Sequence, residues 1–387
     1  TQMIQKILTR DFVLVCFAQF TFNLVYSSLI PTLPIYLSRL GSEEVEIGIL
    51  IGILSISSMV LRPFVGKALL KVSERNFMLA GTLVFTLCSM AYLLAPPFWP
   101  LLVVRVFQGM GMALFCTASV IFIAGISPEA HLGQSLSYCF LAFQISFTLA
   151  PPFGMFIINH FGSALLSWVC TGFSLCSFFI TVRLRERIVD PLEDQSTQGP
   201  PLFSREVLQP VMMTFMTSVV WGALTAFFPL YALNYGVANP GLFFSAFAIT
   251  TILGRALGGR ILDLHSRESV ILPCLITYII AMSILLFSKT LPMFILVAVI
   301  WGIAHAFFYP VLTAYILDLA GSSRGPALGM FTAVDDLGTG LGPVIMGIIL
   351  RLTTYPIMFL CLVLTGTINL SYFHFFVKKK KNLSFIT

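Results

Sequence analysis

Long apolar segments separated by short polar breaks dominate this chain. A bilayer core about 30 Å thick is crossed by about 20 helical residues at ~1.5 Å each, and lipid offers no partner to an open backbone. Each segment therefore predicts a membrane-spanning helix. The twelve predicted helices cover residues 11–38, 44–69, 77–95, 100–126, 135–158, 164–183, 208–234, 241–262, 270–288, 292–318, 326–350 and 356–377. The predicted fold class is all-α and integral to the membrane, in two pseudo-symmetric six-helix halves.

Basic residues fall mainly on one side of these predicted helices. If both termini are cytoplasmic, 16 of the 22 Lys and Arg residues lie in cytoplasmic segments, and the outer loops hold only Arg39, Lys289 and Arg351. Cytoplasmic loops of membrane proteins carry such an excess. We therefore expect a multi-pass protein of the cell membrane, in bacteria the inner membrane, with both termini inside. The lipid bilayer is one expected partner.

Composition and motifs exclude several other classes of function. The hydrophobic fraction is 58% and the charged fraction 10%, against roughly 25% charged residues in soluble domains. The net charge of +6 follows from the cytoplasmic excess of basic residues, so no nucleic-acid partner is expected. None of the eight cysteines forms a C-x-x-C pair, and no nucleotide-binding loop, metal-ligand cluster or nucleophile motif occurs. The sequence predicts no enzyme activity, no cofactor and no metal site.

The two halves of the chain repeat each other. A shift of 193 residues aligns Arg62 with Arg255 and Gly109 with Gly302. The predicted domains are a first half at 1–183, a cytoplasmic linker at 184–207, a second half at 208–377 and a basic tail at 378–387. Two six-helix repeats joined in this way are typical of secondary transporters, whose substrate site lies between the repeats near the bilayer midplane.

Two motifs carry a family resemblance. The run Arg105–Ala113 on the predicted fourth helix reads RVFQGMGMA and matches an R-x-x-Q-G-x-G-x-A pattern. The loop after the second helix begins at Gly66 but has Leu70 where a G-x-x-x-D-[RK]-x-G-[RK] pattern has aspartate, whereas the second-half copy keeps Asp263. On these residues the chain resembles the major facilitator superfamily, in particular its twelve-helix drug or metabolite:proton antiporters.

The resemblance implies two halves that rock around a central site, driven by an ion gradient. The predicted function is proton-coupled efflux of a small amphipathic compound, because the expected cavity residues are rich in aromatic side chains and methionine. The alternatives are proton-coupled uptake of a small metabolite, lipid translocation, and a non-transporting membrane scaffold or receptor. We expect a monomer whose partners are a small-molecule substrate and protons.

Charged or titratable groups within the predicted helices are the candidates for proton coupling. A charge at the bilayer centre costs about 2.5–3.5 kcal/mol on insertion scales, so such a group is expected to face a cavity or a partner. Asp335 and Asp336 lie ~14 Å into the eleventh predicted helix, counted from Pro326. Asp336 is expected on a polar stripe and Asp335 on a packing face, and a structural role as a helix cap or an arginine partner is the alternative. The candidate set is Asp336, Arg105, Asp335 and His305.

Substrate contacts and gates are predicted from polar and aromatic residues on the helix faces. The candidate substrate-binding residues are Gln19, Asn23, Tyr26, Gln108, Met112, Trp221, Thr225, His305 and Tyr309. Helix–helix packing is the alternative role for residues of this kind. The candidate gate residues are Arg62, Gly66, Arg255, Gly259 and Asp263. The two arginines fit either snorkelling or ion pairs with Asp263 or Asp318.

Overall fold

The computed structural model describes residues 9–69, 71–96, 98–127, 132–186, 205–320 and 324–377. Within these ranges the chain forms twelve α-helices and no strand, which confirms the predicted fold class. The helices are α1 (Arg10–Arg39), α2 (Glu44–Ala68), α3 (Glu74–Ala91), α4 (Trp99–Ile126), α5 (Leu132–His160), α6 (Gly162–Val182), α7 (Arg205–Asn234), α8 (Gly241–Leu264), α9 (Arg267–Phe287), α10 (Leu291–Ala320), α11 (Arg324–Leu352) and α12 (Tyr355–Tyr372). A π-helical turn, Phe373–Val377, follows α12.

Eleven helices of the described ranges are long and apolar enough to cross a membrane. The other helix, α3, has 18 residues and opens with the charged residues Glu74 and Arg75. The sequence predicts this segment at 77–95, without the charged turn, but the structure begins it three residues earlier and ends it at Ala91. A charged first turn is compatible with a membrane helix when it lies at the lipid–water interface.

The helices group into two compact units. Unit 1 comprises Thr1–Ser42 and Ile53–Gln195, and unit 2 comprises Glu43–Gly52 and Ser196–Thr387. The start of α2 is therefore grouped with unit 2. Helix α7 begins at Arg205, inside the predicted linker. The rest of that linker from residue 187 and the tail from residue 378 lie outside the described residues, so the predicted domain boundaries stay predictions.

Helix pairing inside the two units follows one scheme. In unit 1, α1 packs on α5 and α6, while α3 packs on α4 and α6. In unit 2, α7 packs on α11 and α12, while α9 packs on α10 and α12. Each of these four pairings of unit 2 is one of unit 1 displaced by six helices. The sequence repeat is thus a repeat of tertiary structure.

Close helix packing at glycine repeats with the same 193-residue shift. A Cβ built at Gly109 of α4 would collide with the carbonyl oxygen of Leu54 on α2. A Cβ built at Gly302 of α10 would lie 2.9 Å from the carbonyl oxygen of Phe247 on α8. Leu54 and Phe247 are related by the same shift as the two glycines. Small residues let membrane helices approach this closely, since association in lipid depends on van der Waals packing.

The turn that ends the first helix of each unit is also repeated. Gly41 follows α1 with φ +83°, and the next N–H donates to the carbonyl oxygen of Leu37 at 3.1 Å. Gly236 follows α7 with φ +77°, and the next N–H donates to the carbonyl oxygen of Ala232, also at 3.1 Å. This is the Schellman helix end, which needs a left-handed residue and so favours glycine.

Candidate functional site

Three buried polar side chains of unit 1 share hydrogen bonds beside α4. Arg105 donates from Nη1 to Oε1 of Gln108 at 2.9 Å, and the hydroxyl of Tyr92 donates to the same oxygen at 2.6 Å. Arg105 is 5% exposed and Gln108 is fully buried. A side-chain amide oxygen has two lone pairs, so Gln108 can satisfy both donors. Arg105 lies six residues after Trp99, or ~9 Å along α4.

Tyr92 is the member of this group that the sequence does not single out. It continues an apolar segment, and only the fold brings its hydroxyl to Gln108. Tyr92 also lines a cavity of about 30 Å³ with Thr32, Tyr36 and Ser167. That volume is about the ~30 Å³ that one water molecule occupies in the liquid and far below the ~300 Å³ of small-molecule sites. This cavity is therefore too small for a substrate.

Two predicted substrate-binding residues of α1 are buried and hydrogen-bonded, one to another helix and one within α1. Ser119 of α4 donates to Oε1 of Gln19 at 3.1 Å, and Nδ2 of Asn23 donates to the carbonyl oxygen of Gln19 at 2.7 Å. Both Gln19 and Asn23 are buried. Tyr26 and Met112 are half-buried. The bond from Ser119 favours the packing alternative for Gln19, whereas Asn23 bonds the backbone of its own helix. Tyr26 and Met112 keep accessible surface.

The candidate gate residues of unit 1 lie in the last two turns of α2. Arg62 donates from Nε to the hydroxyl of Ser58, one turn earlier on α2, at 3.4 Å. A Cβ built at Gly66 would meet no atom within 4 Å, so no close approach requires glycine there. Leu70 lies outside the described residues. For Gly259 and Asp263 only the helical backbone is described.

Arg255, the repeat counterpart of Arg62, faces aromatic residues. It lies close enough to Tyr309 and His305 of α10 to interact electrostatically with both. Its Nε–H is buried and makes no hydrogen bond. Asp318, an expected partner of Arg255, instead pairs with Arg267 at 3.4 Å near the protein surface. In this structure Arg255 therefore interacts with side chains of α10.

Five rings of unit 2 form a continuous group, here called the aromatic cluster: Trp221, Phe247, Trp301, His305 and Tyr309. Ring centroids lie 5.3 Å apart for Trp221 and Phe247, 4.7 Å for Phe247 and Trp301, and 5.2 Å for Phe247 and His305. His305 and Tyr309 follow at 5.7 Å. Trp301 and Phe247 are buried, whereas Trp221, His305 and Tyr309 are half-buried. The cluster thus has a buried base and an accessible layer.

Two further observations define the surroundings of the aromatic cluster. The indole N–H of Trp301 makes no hydrogen bond, although this side chain is only 1% exposed. Thr225, one turn after Trp221 on α7, is buried and donates to the carbonyl oxygen of Gly222 at 2.8 Å. Among the predicted residues of α7, Trp221 therefore presents accessible surface and Thr225 does not.

The two acids of α11 have different surroundings. Ser218 of α7 donates to Oδ1 of Asp335 at 2.5 Å. A Cβ built at Gly338, on the same face, would lie 2.8 Å from the Cβ of Ser218, so Asp335 does lie on a packing face. Asp336 is half-buried, twelve residues after Arg324 and so ~18 Å along α11. It lies farther from the start of the helix than the sequence predicts because the helix begins earlier.

The described residues offer three kinds of chemistry. Unit 1 provides a buried guanidinium held by neutral acceptors, and unit 2 provides aromatic faces with a second guanidinium and a pair of carboxyl groups. Among the described residues, no group of three or more His, Cys, Asp or Glu could hold a metal ion. These features suit binding and charge movement, with hydrogen-bond donors concentrated at Arg105, Arg255 and Trp301.

The sequence is similar to a known family along nearly its whole length. A family model described as Major Facilitator Superfamily matches residues 15–243 and 210–386. The staphylopine export protein of Staphylococcus aureus (strain Mu50 / ATCC 700699) is 26% identical over 339 residues, which cover 83% of this chain and 84% of that protein. The quinolone resistance protein NorA of Staphylococcus aureus (strain MSSA476) is 23% identical over 340 residues, covering 82% and 84%.

Solved structures share the fold at lower identity. A mutant of the nucleoside transporter NupG superposes with a TM-score of 0.80 at 14% identity, covering 95% of this chain and all of that one. The human organic anion transporter MFSD10 superposes with a TM-score of 0.71 at 16% identity, covering 94% and 98%. At these identities the similarity concerns the fold alone.

Proposed function

Because the chain belongs to the Major Facilitator Superfamily and is a membrane transporter, we propose that it exports small amphipathic compounds in exchange for protons. An export protein and a quinolone resistance protein are among its relatives, each matched over more than four fifths of the chain. These names support export as the direction. In the mechanism we propose, the two six-helix halves alternate between access from either side.

The observation that carries the proton coupling is the acid pair Asp335–Asp336 in the middle of α11. An ionised carboxylate within a bilayer costs about 2.5–3.5 kcal/mol on insertion scales. A carboxyl group that is alternately buried and hydrated therefore tends to bind a proton in one state and release it in the other. We assign the moving proton to Asp336, which the sequence places on a polar stripe of α11. Asp335, which accepts from Ser218 on a packing face, is the weaker candidate.

Arg105 is the fixed charge of unit 1 in this proposal. Its hydrogen bond to Gln108 holds the guanidinium in a defined position, which a mobile ammonium would not reproduce. We propose that Arg105 biases the proton equilibrium electrostatically. Trp221, His305 and Tyr309 are proposed to contact the substrate, because they form the accessible layer of the aromatic cluster.

The proposal also covers the oligomeric state, the topology and the gate residues. We propose a monomer in the bacterial inner membrane, with both termini cytoplasmic because the basic residues concentrate on that side. Arg62, Gly66, Gly259 and Asp263 are proposed to act at the cytoplasmic ends of α2 and α8, where access opens and closes.

Inverted membrane vesicles, with the cytoplasmic side outward, test both direction and coupling. An exporter loads ethidium or 2-naphthoate, an amphipathic cation and anion, into vesicles whose interior is acidic, and releases protons as it does so. An importer instead loads right-side-out vesicles with an acidic exterior. We expect loading of inverted vesicles that collapses when the pH gradient is abolished. Loading only of right-side-out vesicles would contradict export.

The coupling residues are tested in the same vesicles. Asp336→Asn is expected to abolish gradient-driven loading while sparing exchange of substrate at equal pH on both sides. Asp318→Asn is the matched control, since Asp318 is exposed and paired with Arg267 at the surface. Undiminished substrate-dependent proton flux in Asp336→Asn would exclude it as the proton carrier.

A further inference from the structure

The aromatic cluster and its neighbour Arg255 include two buried N–H groups that make no hydrogen bond. Arg255 interacts electrostatically with Tyr309 and His305, and its Nε–H is buried without a hydrogen bond. The indole N–H of Trp301 is likewise buried without an acceptor. A buried donor left unsatisfied destabilises the protein, more so when it is charged. Two such donors around one group of rings indicate a site for a ligand that supplies acceptors.

The rings restrict the shape of that ligand. Trp221 stands against Trp301 at 5.5 Å and is nearly parallel to His305 at 6.4 Å, with an interplanar angle of 18°. Trp221 and His305 are half-buried and present flat surfaces, and aromatic pairs prefer offset stacking or edge contact at centroid distances of about 4.5–7 Å. A planar aromatic group can add to such a layer without rearranging it.

Charge restricts the ligand further. An aromatic group of this kind would by itself favour a cation, which the ring faces attract. Arg255 beside Tyr309 and His305 opposes this preference, since a guanidinium repels cations and binds carboxylates through two parallel N–H donors. A carboxylate supplies only acceptors, which suits a guanidinium with an unsatisfied N–H.

We propose that the aromatic cluster and Arg255 bind the planar, anionic part of the exported compound, so that the substrate class is aromatic carboxylates. The proposal rests on the exporter function above and names its substrate. Stacking on Trp221 and His305 positions the ring, and Arg255 donates hydrogen bonds to the carboxylate. Compounds with the same ring but no negative charge are bound more weakly.

Asp335 and Asp336 of α11 would favour a cationic ligand at the aromatic cluster, whereas Arg255 favours an anionic one. An experiment must distinguish these two effects. Phe331 of α11 packs on Tyr309 at 5.0 Å, one turn before Asp335, and Ser218, which binds Asp335, lies one turn before Trp221. If these acids governed the cluster, a cationic aromatic compound would bind better than an anionic one. The sign of the preferred charge therefore decides the proposal.

The distribution of tryptophan allows a direct binding measurement. The four tryptophans of the chain are Trp99, Trp168, Trp221 and Trp301. Trp99 and Trp168 are 71% and 55% exposed and lie outside the cluster. The variant Trp99→Phe/Trp168→Phe therefore keeps fluorescence only from Trp221 and Trp301. Anthranilate, a planar aromatic carboxylate, accepts energy from tryptophan, as does its neutral amide, anthranilamide.

Purified full-length protein in detergent is titrated with these two probes, with protein-free micelles as the blank. We expect saturable energy transfer to anthranilate and at least tenfold weaker binding of anthranilamide. Benzoate should displace anthranilate, while cyclohexanecarboxylate and benzyltrimethylammonium should not. Equal binding of anthranilate and anthranilamide, or stronger displacement by benzyltrimethylammonium, would overturn the proposal.

Arg255 is tested in the same two-tryptophan background. Arg255→Gln should weaken anthranilate binding at least tenfold and leave anthranilamide binding unchanged, whereas Arg267→Gln, at an exposed pair on α9, should change neither. Unchanged anthranilate binding in a monodisperse Arg255→Gln protein would contradict the role of Arg255. If Arg255→Gln is not monodisperse, the comparison of anthranilate, anthranilamide and benzyltrimethylammonium on the protein that keeps Arg255 decides the proposal.

Binding in detergent needs no gradient, so it separates the two proposals. Proton-coupled export of ethidium together with absent anthranilate binding would overturn the substrate class and leave the exporter function standing. Charge-selective anthranilate binding without loading of any probe into vesicles would support the site and contradict proton-coupled export.

Discussion

The hydroxyl of Tyr92 donates a hydrogen bond to Oε1 of Gln108, the same oxygen that accepts from Arg105. Tyr92 follows α3 and Gln108 belongs to α4, so this bond ties two neighbouring helices around a buried guanidinium. It connects a residue that the sequence leaves unmarked with the most specific motif of the chain.

Removing that hydroxyl should have a measurable effect on both stability and transport. Tyr92→Phe deletes one interhelical hydrogen bond, which in membrane proteins contributes about 0.6 kcal/mol on average. We expect a small decrease in the thermal unfolding temperature in detergent and a transport rate lowered roughly threefold, the factor to which about 0.6 kcal/mol corresponds. Tyr138→Phe is the control, because the Tyr138 hydroxyl bonds Gln134 in an exposed position. Equal behaviour of the two variants would remove Tyr92 from the Arg105 group.

The paired glycines of the two repeats should tolerate no side chain. Gly109→Ala and Gly302→Ala each place a methyl group against a neighbouring backbone, and such overpacking costs about 1–3 kcal/mol. Gly172→Ala, on α6 with no atom within 4 Å of the added carbon, should be neutral or stabilise by up to ~1 kcal/mol through helix propensity. Thermal unfolding of the purified variants measures the difference. Stability losses that are equal at all three positions would contradict close packing at the repeated glycines.

The bond between Ser218 and Asp335 predicts a non-additive double-mutant cycle. Asp335→Asn keeps an oxygen that accepts from Ser218, so it should be mild, whereas Asp335→Ala removes the acceptor. The variants Ser218→Ala, Asp335→Ala and their combination should show a coupling free energy of about 0.6 kcal/mol, the average for interhelical bonds in membranes. Unfolding in mixed detergents gives the four free energies. Additive effects would indicate that the bond contributes nothing.

The distribution of basic residues predicts the topology. In a variant with the eight native cysteines replaced, cysteine at Glu44 should react with an impermeant maleimide in intact cells. Cysteine at Ser196 or at Lys380 should react only after permeabilisation, since both are expected in the cytoplasm. Reaction of Glu44 and Ser196 positions from one side would contradict a twelve-helix topology.

The sequence by itself determined the number of helices and their approximate bounds. A hydrocarbon layer of about 30 Å imposes a length of about 20 apolar residues on every crossing, and that length is legible without a structure. The bounds differ where charge meets the interface, as at Glu74, which the apolar pattern omits but α3 includes. The 193-residue repeat could also be recognised in the sequence, because Gly109 and Gly302 meet the same packing requirement in each half.

Only the tertiary structure decided which side chains meet. In a soluble protein an apolar face points to the core, but in lipid both the core and the surroundings are apolar, so the hydrophobic pattern does not fix the rotation of a helix about its axis. For this reason the sequence left Gln19 and Asn23 as either cavity or packing residues, and only the fold shows that Gln19 bonds Ser119 of α4 while Asn23 bonds its own helix. For the same reason it left Arg255 with either snorkelling or an ion pair to Asp263 or Asp318, and the fold places Arg255 within electrostatic reach of His305 and Tyr309.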